Sequence, residues 1–151
     1  MDAILQGYIK DFISEFKITN LKDSEIFEHF CNYCIVKRES SNEFELDQIN
    51  VGKDGNPGID GIAILVNGTN ITSPEGIHYF LQKKIQLEVD IIFIQSKSSE
   101  KFDSGEILKF LSSVKDFIEN EEYTFNFNND VLIKKQILNN IFENAINLRR
   151  L

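Results

Sequence analysis

Three polar side chains in the middle of the chain have the chemistry of a metal and phosphate site. Asp60 lies in the tetrapeptide Gly-Ile-Asp-Gly at 58–61, and Gln95 and Lys97 follow the apolar run 89–94. A carboxylate binds a hard cation such as Mg²⁺ through oxygen, and the cation in turn meets water and phosphate oxygens. A lysine beside the cation stabilises the charge that builds on the phosphate. Gln95 offers a weaker ligand, through its side chain or its backbone carbonyl. These residue types predict metal-dependent hydrolysis of a phosphodiester.

Strand geometry explains how these side chains can meet. Side chains alternate between the two faces of a strand, so Gln95 and Lys97 project to the same side at the end of their strand. By the same alternation, Asp60 begins another apolar strand and shares a face with Ile62 and Ile64. If the two strands pair antiparallel, the start of one lies beside the end of the other. We therefore expect the carboxylate, the amide and the ammonium to converge at one edge of a sheet.

Apolar periodicity and turn residues predict the elements that position these groups. An Asn-Gly dipeptide at 67–68 is typical of a hairpin turn, and the segment 103–106 resembles a helix capping box. The alternation of strands and helices predicts one α/β domain over residues 1–151, with a mixed β-sheet flanked by helices on both faces. Expected strands cover 44–51, 59–66, 70–72 and 88–97, and expected helices cover 4–16, 24–36, 74–84, 107–118 and 131–148.

Several stretches of the chain resemble a known family. The Gly-Ile-Asp-Gly pattern, with a later strand ending in Gln-x-Lys, resembles the Mrr-type branch of the PD-(D/E)XK nuclease superfamily. Ile59 stands where the superfamily name has proline, and Gln95 stands at its second acidic position, two variants that also resemble the Mrr branch. From about Leu21 to Phe117, the stretches FEHFCNYCIVKRE, GIDGIAILVNG, FIQSKSSEKF and EILKFLSSVKDF resemble, in that order, the N-terminal nuclease-like domain of abortive phage infection proteins of the AIPR family.

The resemblance implies a restriction-endonuclease-like fold and an endonuclease that acts on DNA with Mg²⁺ or Mn²⁺ in defence against phage. RNA as substrate, strandedness and sequence preference stay open. Asp60 is then the principal metal ligand, Gln95 a second ligand, and Lys97 the catalytic group at the scissile phosphate. Family members continue into a longer C-terminal region, so we expect either an isolated domain or the N-terminal part of a longer protein. A homodimer is expected if both strands of a duplex are cut.

The resemblance also implies an acidic ligand from a helix before the sheet, and Glu28 matches that place. Glu28 is either a further catalytic metal ligand or a solvated glutamate at the rim of its helix, and both interpretations stay open. Cys31 and Cys34 form a C-x-x-C pattern, but the chain has no second cysteine pair to complete a zinc site. We expect both cysteines to pack in the core. On a helical wheel, Glu28 lies at the edge of an apolar arc formed by Ile26, Phe27, Phe30, Cys31, Cys34 and Ile35.

Composition bounds the class of protein. With 151 residues, 42% of them hydrophobic and 13 of them phenylalanine, the chain is long enough for one well-packed domain. No apolar run approaches the roughly 20 residues of a membrane span. The first residues lack the pattern of a signal peptide. We therefore expect a cytoplasmic protein without a membrane partner.

The charge of the chain leaves a second function open. The net charge of −8 is opposite in sign to the basic surface that nucleic-acid binding normally uses, although Lys97, Lys101, Lys109 and Lys115 can form a local basic rim. Gln95 removes one formal charge from the metal site. Both observations favour a nucleic-acid-binding or regulatory module that keeps the nuclease fold without turnover. A third interpretation makes the aspartate a turn-capping residue and the Gln-x-Lys segment an exposed strand end.

Overall fold

The helices of the protein follow the apolar periodicity of its sequence. The computed structural model describes residues 2–52, 57–83, 86–99, 101, 103–119 and 123–148, with the side chains of the last helix described to Asn144. The five expected helices are confirmed, and the predicted end at residue 84 lies outside the described residues. None of the helices in these ranges is both long and apolar enough to cross a membrane. The elements are α1 (Ala3–Phe16), α2 (Asp23–Glu39), β1 (Gly61–Val66), β2 (Thr69–Asn70), α3 (His78–Gln82), β3 (Val89–Ile94), α4 (Ser104–Glu119) and α5 (Asn129–Leu148), with 3₁₀ turns at Leu46–Gln48 and Pro74–Ile77.

The sheet is built around the hairpin turn at Asn67 and Gly68, whose φ values are 49° and 75°. Two successive residues with positive φ give a turn the twist that antiparallel strands need. β1 pairs antiparallel with β2 on one side and with β3 on the other, where Gly61 lies opposite Ile94. The predicted antiparallel pairing is therefore confirmed. The predicted mixed sheet is wrong, because every strand pair in the described ranges is antiparallel.

The strand predicted over 44–51 is wrong. This segment forms the first 3₁₀ turn and then makes one isolated bridge, between Asn50 and Gly61. One reason is that the Gln48 carbonyl, which a strand would use in its ladder, instead accepts a hydrogen bond from Lys134 Nζ of α5 at 2.6 Å. Side-chain bonds of this kind compete with a sheet ladder. The segment therefore approaches β1 only at its end.

Helices cover both faces of the sheet, as the sequence predicts. Ile62 and Ile64 are fully buried on one face, where they belong to the same cluster as Phe117 of α4 and the apolar side of α5. Leu65 points to the other face and packs with Val36 of α2. Because both faces are covered, β1 is buried along its whole length and reads as a continuous apolar run.

The buried face of α2 combines the polar His29 and Asn32 with Val36, which corrects the predicted apolar arc. His29 and Asn32 are 7% and 1% exposed, whereas Ile35 is 40% exposed and Cys34 is also exposed. Cys31 is only half-buried, so the expected core packing of both cysteines is wrong. Asn32 meets the residue before β1, where its side chain donates to the Asp60 carbonyl. The aromatic side chains of Phe30 and Tyr33 pack on α1 instead.

Both strands that carry predicted site residues stop short of those residues. β1 begins at Gly61 and β3 ends at Ile94. Asp60, Gln95 and Lys97 therefore lie just outside the regular ladder.

Candidate active site

The main chain of Asp60 is fixed from three directions. Its N–H donates to Ile94 O at 2.8 Å, and its carbonyl accepts from Val51 N at 3.0 Å and from Asn32 Nδ2 at 3.3 Å. The register of β1 and β3, continued by one residue, would instead pair Asp60 with Gln95. The ladder is therefore offset by one residue at this point, as at a β-bulge, and such an offset re-aims the neighbouring side chains.

The carboxylate of Asp60 is held by Ser96, a residue that sequence reasoning missed. Ser96 N donates to Oδ2 of Asp60 at 2.6 Å, and Ser96 Oγ donates to the same oxygen at 3.0 Å. Since Oδ2 takes both bonds, Oδ1 is left facing Gly52. The only signal in the sequence was a small hydroxyl residue standing between Gln95 and Lys97.

Glu28 of α2 and Asp60 face each other across Gly52. A Cβ built at Gly52 would lie 3.0 Å from Glu28 Oε2 and 3.5 Å from Asp60 Oδ1. The two oxygens therefore border one small space, which exists because residue 52 has no side chain. Asn50 helps to shape the turn, because its Oδ1 accepts from Gly52 N at 3.0 Å.

Burial raises the pKa of both carboxyl groups, and the charge of Asp60 adds to the effect at Glu28. Burial raises the pKa of Glu28, the neighbouring Asp60 and Glu25 raise it further, and a hydrogen bond with the Asn50 side chain opposes them. Burial also raises the pKa of Asp60, against the lowering effect of its two hydrogen bonds from Ser96. A pair of partly desolvated carboxylates at close range is stabilised when a cation lies between them.

The side chains of Gln95 and Lys97 lie beside α4. Gln95 Nε2 is 3.0 Å from the position that a Cβ would take at Gly58, and Phe110 Cα is 3.6 Å from the same point. Lys97 Nζ forms an ion pair with Glu106 in the first turn of α4. The structure thus places the amide and the ammonium at α4, whereas the two carboxylates face each other at α2.

The strand alternation expected for Asp60 does not extend to it. Ile59 packs in the same buried cluster as Ile62, although strict alternation would place it on the opposite face. Because Asp60 precedes the ladder, its carboxylate turns toward Glu28 rather than following Ile62. The expected common face of Asp60 and Ile62 is therefore wrong, while the predicted pairing of the two strands is right.

An open cleft borders Glu28 and Gly52. It has a volume of about 530 Å³, and its lining also includes Lys22, Asp47 and Asn50. Comparison of the chain with protein-family models, with curated proteins and with solved structures gave no match. The proposed function therefore depends on the geometry of these residues and on the chemistry of their donor atoms.

The donor set at the cleft fits a hard divalent cation. Glu28 and Asp60 present carboxylate oxygens to one space, and neither a thiolate nor an imidazole borders that point at the distances given above. Within the described ranges, no three or more His, Cys, Asp or Glu side chains group to hold a metal. A cation here would therefore have these two carboxylates, with water, substrate oxygens or a neutral carbonyl oxygen completing its coordination, as is usual for Mg²⁺.

Proposed function

We propose that the chain is a metal-dependent nuclease domain that hydrolyses phosphodiester bonds of DNA. The observation that carries this proposal is the meeting of Glu28 and Asp60, from a helix and from the start of a strand, over a residue without a side chain. Two partly desolvated carboxylates that separate elements bring to one space are more typical of a functional site than of a purely structural one. A catalytic metal ion between the two carboxylates would offset their charge and so account for the arrangement.

Each residue has a distinct role in the proposed reaction. Asp60 is the principal metal ligand and Glu28 the second, while Gln95 contributes a carbonyl oxygen from its side chain or main chain. Bound Mg²⁺ or Mn²⁺ supplies Lewis acidity at the phosphate and at the attacking water. Ser96 keeps the Asp60 carboxylate oriented.

Lys97 supplies the positive charge for the phosphate. In the structure its ammonium is paired with Glu106, and both side chains are partly exposed. A solvent-exposed pair of this kind is worth only about 0 to 1 kcal/mol, so a substrate phosphate competes with Glu106 at little cost. The ammonium then stabilises the charge that develops on the non-bridging oxygens.

The sequence resemblance extends the proposal to fold, substrate and biological setting. The antiparallel β1–β3 pair, with Asp60 at the start of one strand and Gln-x-Lys after the other, supports a restriction-endonuclease-like core. Action on DNA, abortive infection of phage-infected cells and a cytoplasmic location rest on the likeness to AIPR proteins and on the sequence. A homodimer is part of the proposal for a duplex substrate, because each strand then meets its own site.

Cleavage assays with matched variants test the proposal. The protein is incubated with plasmid, linear duplex and single-stranded DNA, and with RNA, in Mg²⁺, in Mn²⁺ and in a chelator. We expect metal-dependent cleavage that falls by roughly 10²-fold or more in each variant, because Asp60→Ala loses the principal metal ligand and Lys97→Ala loses the positive charge at the phosphate. Lys10→Ala, which removes an exposed lysine of α1 outside the proposed site, is the control. Cleavage that persists in Asp60→Ala would rule out the assigned site.

Two observations favour a second function, a binding or regulatory module with the same fold. Lys97 is engaged by Glu106, and Gln95 replaces an acidic ligand, so the groups expected at a phosphate are weaker than in a full nuclease site. Calorimetric binding of Mn²⁺ or of DNA without any cleavage of the substrates above would select this second function over the first.

A further inference from the structure

Ser96 makes both of the hydrogen bonds that the Asp60 carboxylate accepts from the described residues. The main-chain N–H donates at 2.6 Å and the side-chain hydroxyl at 3.0 Å, and both end on Oδ2. Two donors on the same oxygen from different directions fix the plane of a carboxylate more firmly than one bond does. The orientation of Asp60 is therefore set by one residue of the segment after β3.

The oxygen that Ser96 leaves unbound is the one that faces Glu28. Asp60 Oδ1 and Glu28 Oε2 border the same point above Gly52, at 3.5 Å and 3.0 Å from the Cβ position there. If the carboxylate rotated, Oδ2 would move away from its two donors on Ser96 and both hydrogen bonds would be lost. The Ser96 bonds therefore favour the single orientation in which an oxygen is presented to that space.

Ser96 lies just beyond the offset in the ladder. In the regular register Gln95 would lie opposite Asp60, but the Asp60 N–H donates to Ile94 O instead. The Gln95 amide nitrogen then lies near Gly58, at the side of α4. The middle residue of the Gln-Ser-Lys segment thus becomes the neighbour of the carboxylate.

We propose that Ser96 is the positioning residue of the metal centre, and that it directs Asp60 Oδ1 toward the cation shared with Glu28. This inference rests on the proposed function. Ser96 touches neither the substrate nor the cation in this role, and it acts only through the aspartate. Residues that hold a metal ligand in this way typically change metal affinity or activity by about 10- to 100-fold when they are replaced.

The test compares Ser96→Ala, which keeps the main-chain donor and loses the hydroxyl, with Ser96→Thr, which keeps both. Ser98→Ala is the control, since Ser98 is an exposed serine of the same segment. Mn²⁺ affinity is measured by calorimetry, and the Mg²⁺ concentration for half-maximal cleavage is measured alongside it. Thermal unfolding in chelator shows whether each variant is folded.

We expect Ser96→Ala to weaken Mn²⁺ binding and to raise the half-maximal Mg²⁺ concentration, each by roughly 10-fold. The kcat at saturating metal should change far less, and Ser96→Thr and Ser98→Ala should resemble the wild type. Mn²⁺ binding by Ser96→Ala equal to that of the wild type overturns the positioning role alone. A wild type that binds no Mn²⁺ overturns the proposed function and this inference with it. A loss in Ser96→Ala that Ser96→Thr does not rescue shows that packing, rather than the hydroxyl bond, is responsible, and it also overturns the inference.

Discussion

Glu28 Oε2 and Asp60 Oδ1 both lie within 3.5 Å of the single point that a Cβ on Gly52 would occupy. The two residues come from different elements, and neither is held there by a bond to the other. Their meeting point is available only because residue 52 is a glycine. The space above Gly52 is therefore the most direct place to test the site.

Gly52→Ala should block the cation while leaving the fold intact. The backbone of Gly52 lies outside the left-handed region, so alanine adds no backbone strain, and its nearest new neighbour is the flexible end of Glu28. A methyl group between the carboxylates takes the place of the cation, and we expect Mn²⁺ affinity to fall by about 10-fold or more. Calorimetry measures the affinity, and denaturant unfolding measures the stability.

Gly7→Ala is the matched control for that change. Gly7 lies on α1, and a Cβ there meets no other atom within 4 Å. It should leave metal binding unchanged and add slightly to stability, because alanine is the better helix former by about 1 kcal/mol. Unchanged Mn²⁺ affinity in Gly52→Ala would mean that the cation does not bind between Glu28 and Asp60.

Glu28→Gln should stabilise the metal-free protein at neutral pH and remove most of the stabilisation by metal. Burial, followed by the charge of Asp60, raises the pKa of Glu28 above its ordinary 4.5, and burial raises that of Asp60 above 3.8. A carboxyl whose pKa is raised on folding binds protons more tightly in the folded state. The metal-free wild type should therefore lose stability as the pH rises through these raised values.

Melting temperatures across this pH range, with and without Mg²⁺, measure both effects. The glutamine variant should show a flatter pH profile in chelator and a smaller gain on adding Mg²⁺, since one of the two charges that the cation offsets is gone. Glu15→Gln, an exposed change on α1, is the control and should behave as the wild type. Equal Mg²⁺ gains in Glu28→Gln and in the wild type would remove Glu28 from the site.

Lys134 should give the protein a rise in stability in mildly alkaline solution. Burial lowers the pKa of this lysine from 10.5 to about 8, although Asp130 opposes the shift. Between these two pH values the unfolded chain holds a proton that the folded chain has released, so the free energy of unfolding increases with pH. The full effect is on the order of 3 kcal/mol. Urea unfolding at a series of pH values measures it.

Lys134→Met should abolish this rise, because methionine has a similar length and carries no proton. Lys109→Met, at an exposed lysine of α4, is the matched control and should keep the rise in stability. If the free energy of unfolding of Lys134→Met rises with pH as steeply as that of Lys109→Met, the alkaline stabilisation belongs to another group. The bond from Lys134 to Gln48 O would then be a contact of a charged ammonium throughout this range.

The sequence predicts β1, β3 and their antiparallel pairing well, but not the strand over 44–51 or the polar contacts. The Asn67-Gly68 turn and the apolar runs determine β1 and β3, because turn chemistry and periodicity are local properties. The face of α2 that meets the sheet could not be read from apolar periodicity. Asn32 is buried there by a hydrogen bond to the Asp60 carbonyl, and a partner so distant in sequence leaves no local pattern.

The candidate site shows the same division. Asp60 was found because an aspartate before an apolar strand is a visible pattern, and Glu28 because a helix before the sheet was expected to supply an acid. Ser96 and Gly52 were missed, since their roles arise from a one-residue offset in the ladder and from an empty Cβ position. Both are properties of how the elements approach each other, and no single segment encodes them.

The hydrogen bond from Asn32 to the Asp60 carbonyl makes α2 and the sheet parts of one assembly. Glu28 lies one helical turn before Asn32, so an opening motion that lifts α2 separates the two carboxylates while β1 and β3 stay paired. If the proposed cation binds between the two carboxylates, it would oppose this motion, because its binding energy is lost in every open form. In the metal-free protein the like charges push in the opposite direction. Under the proposed function, the binding of divalent metal would therefore stabilise the packing of α2 against the sheet.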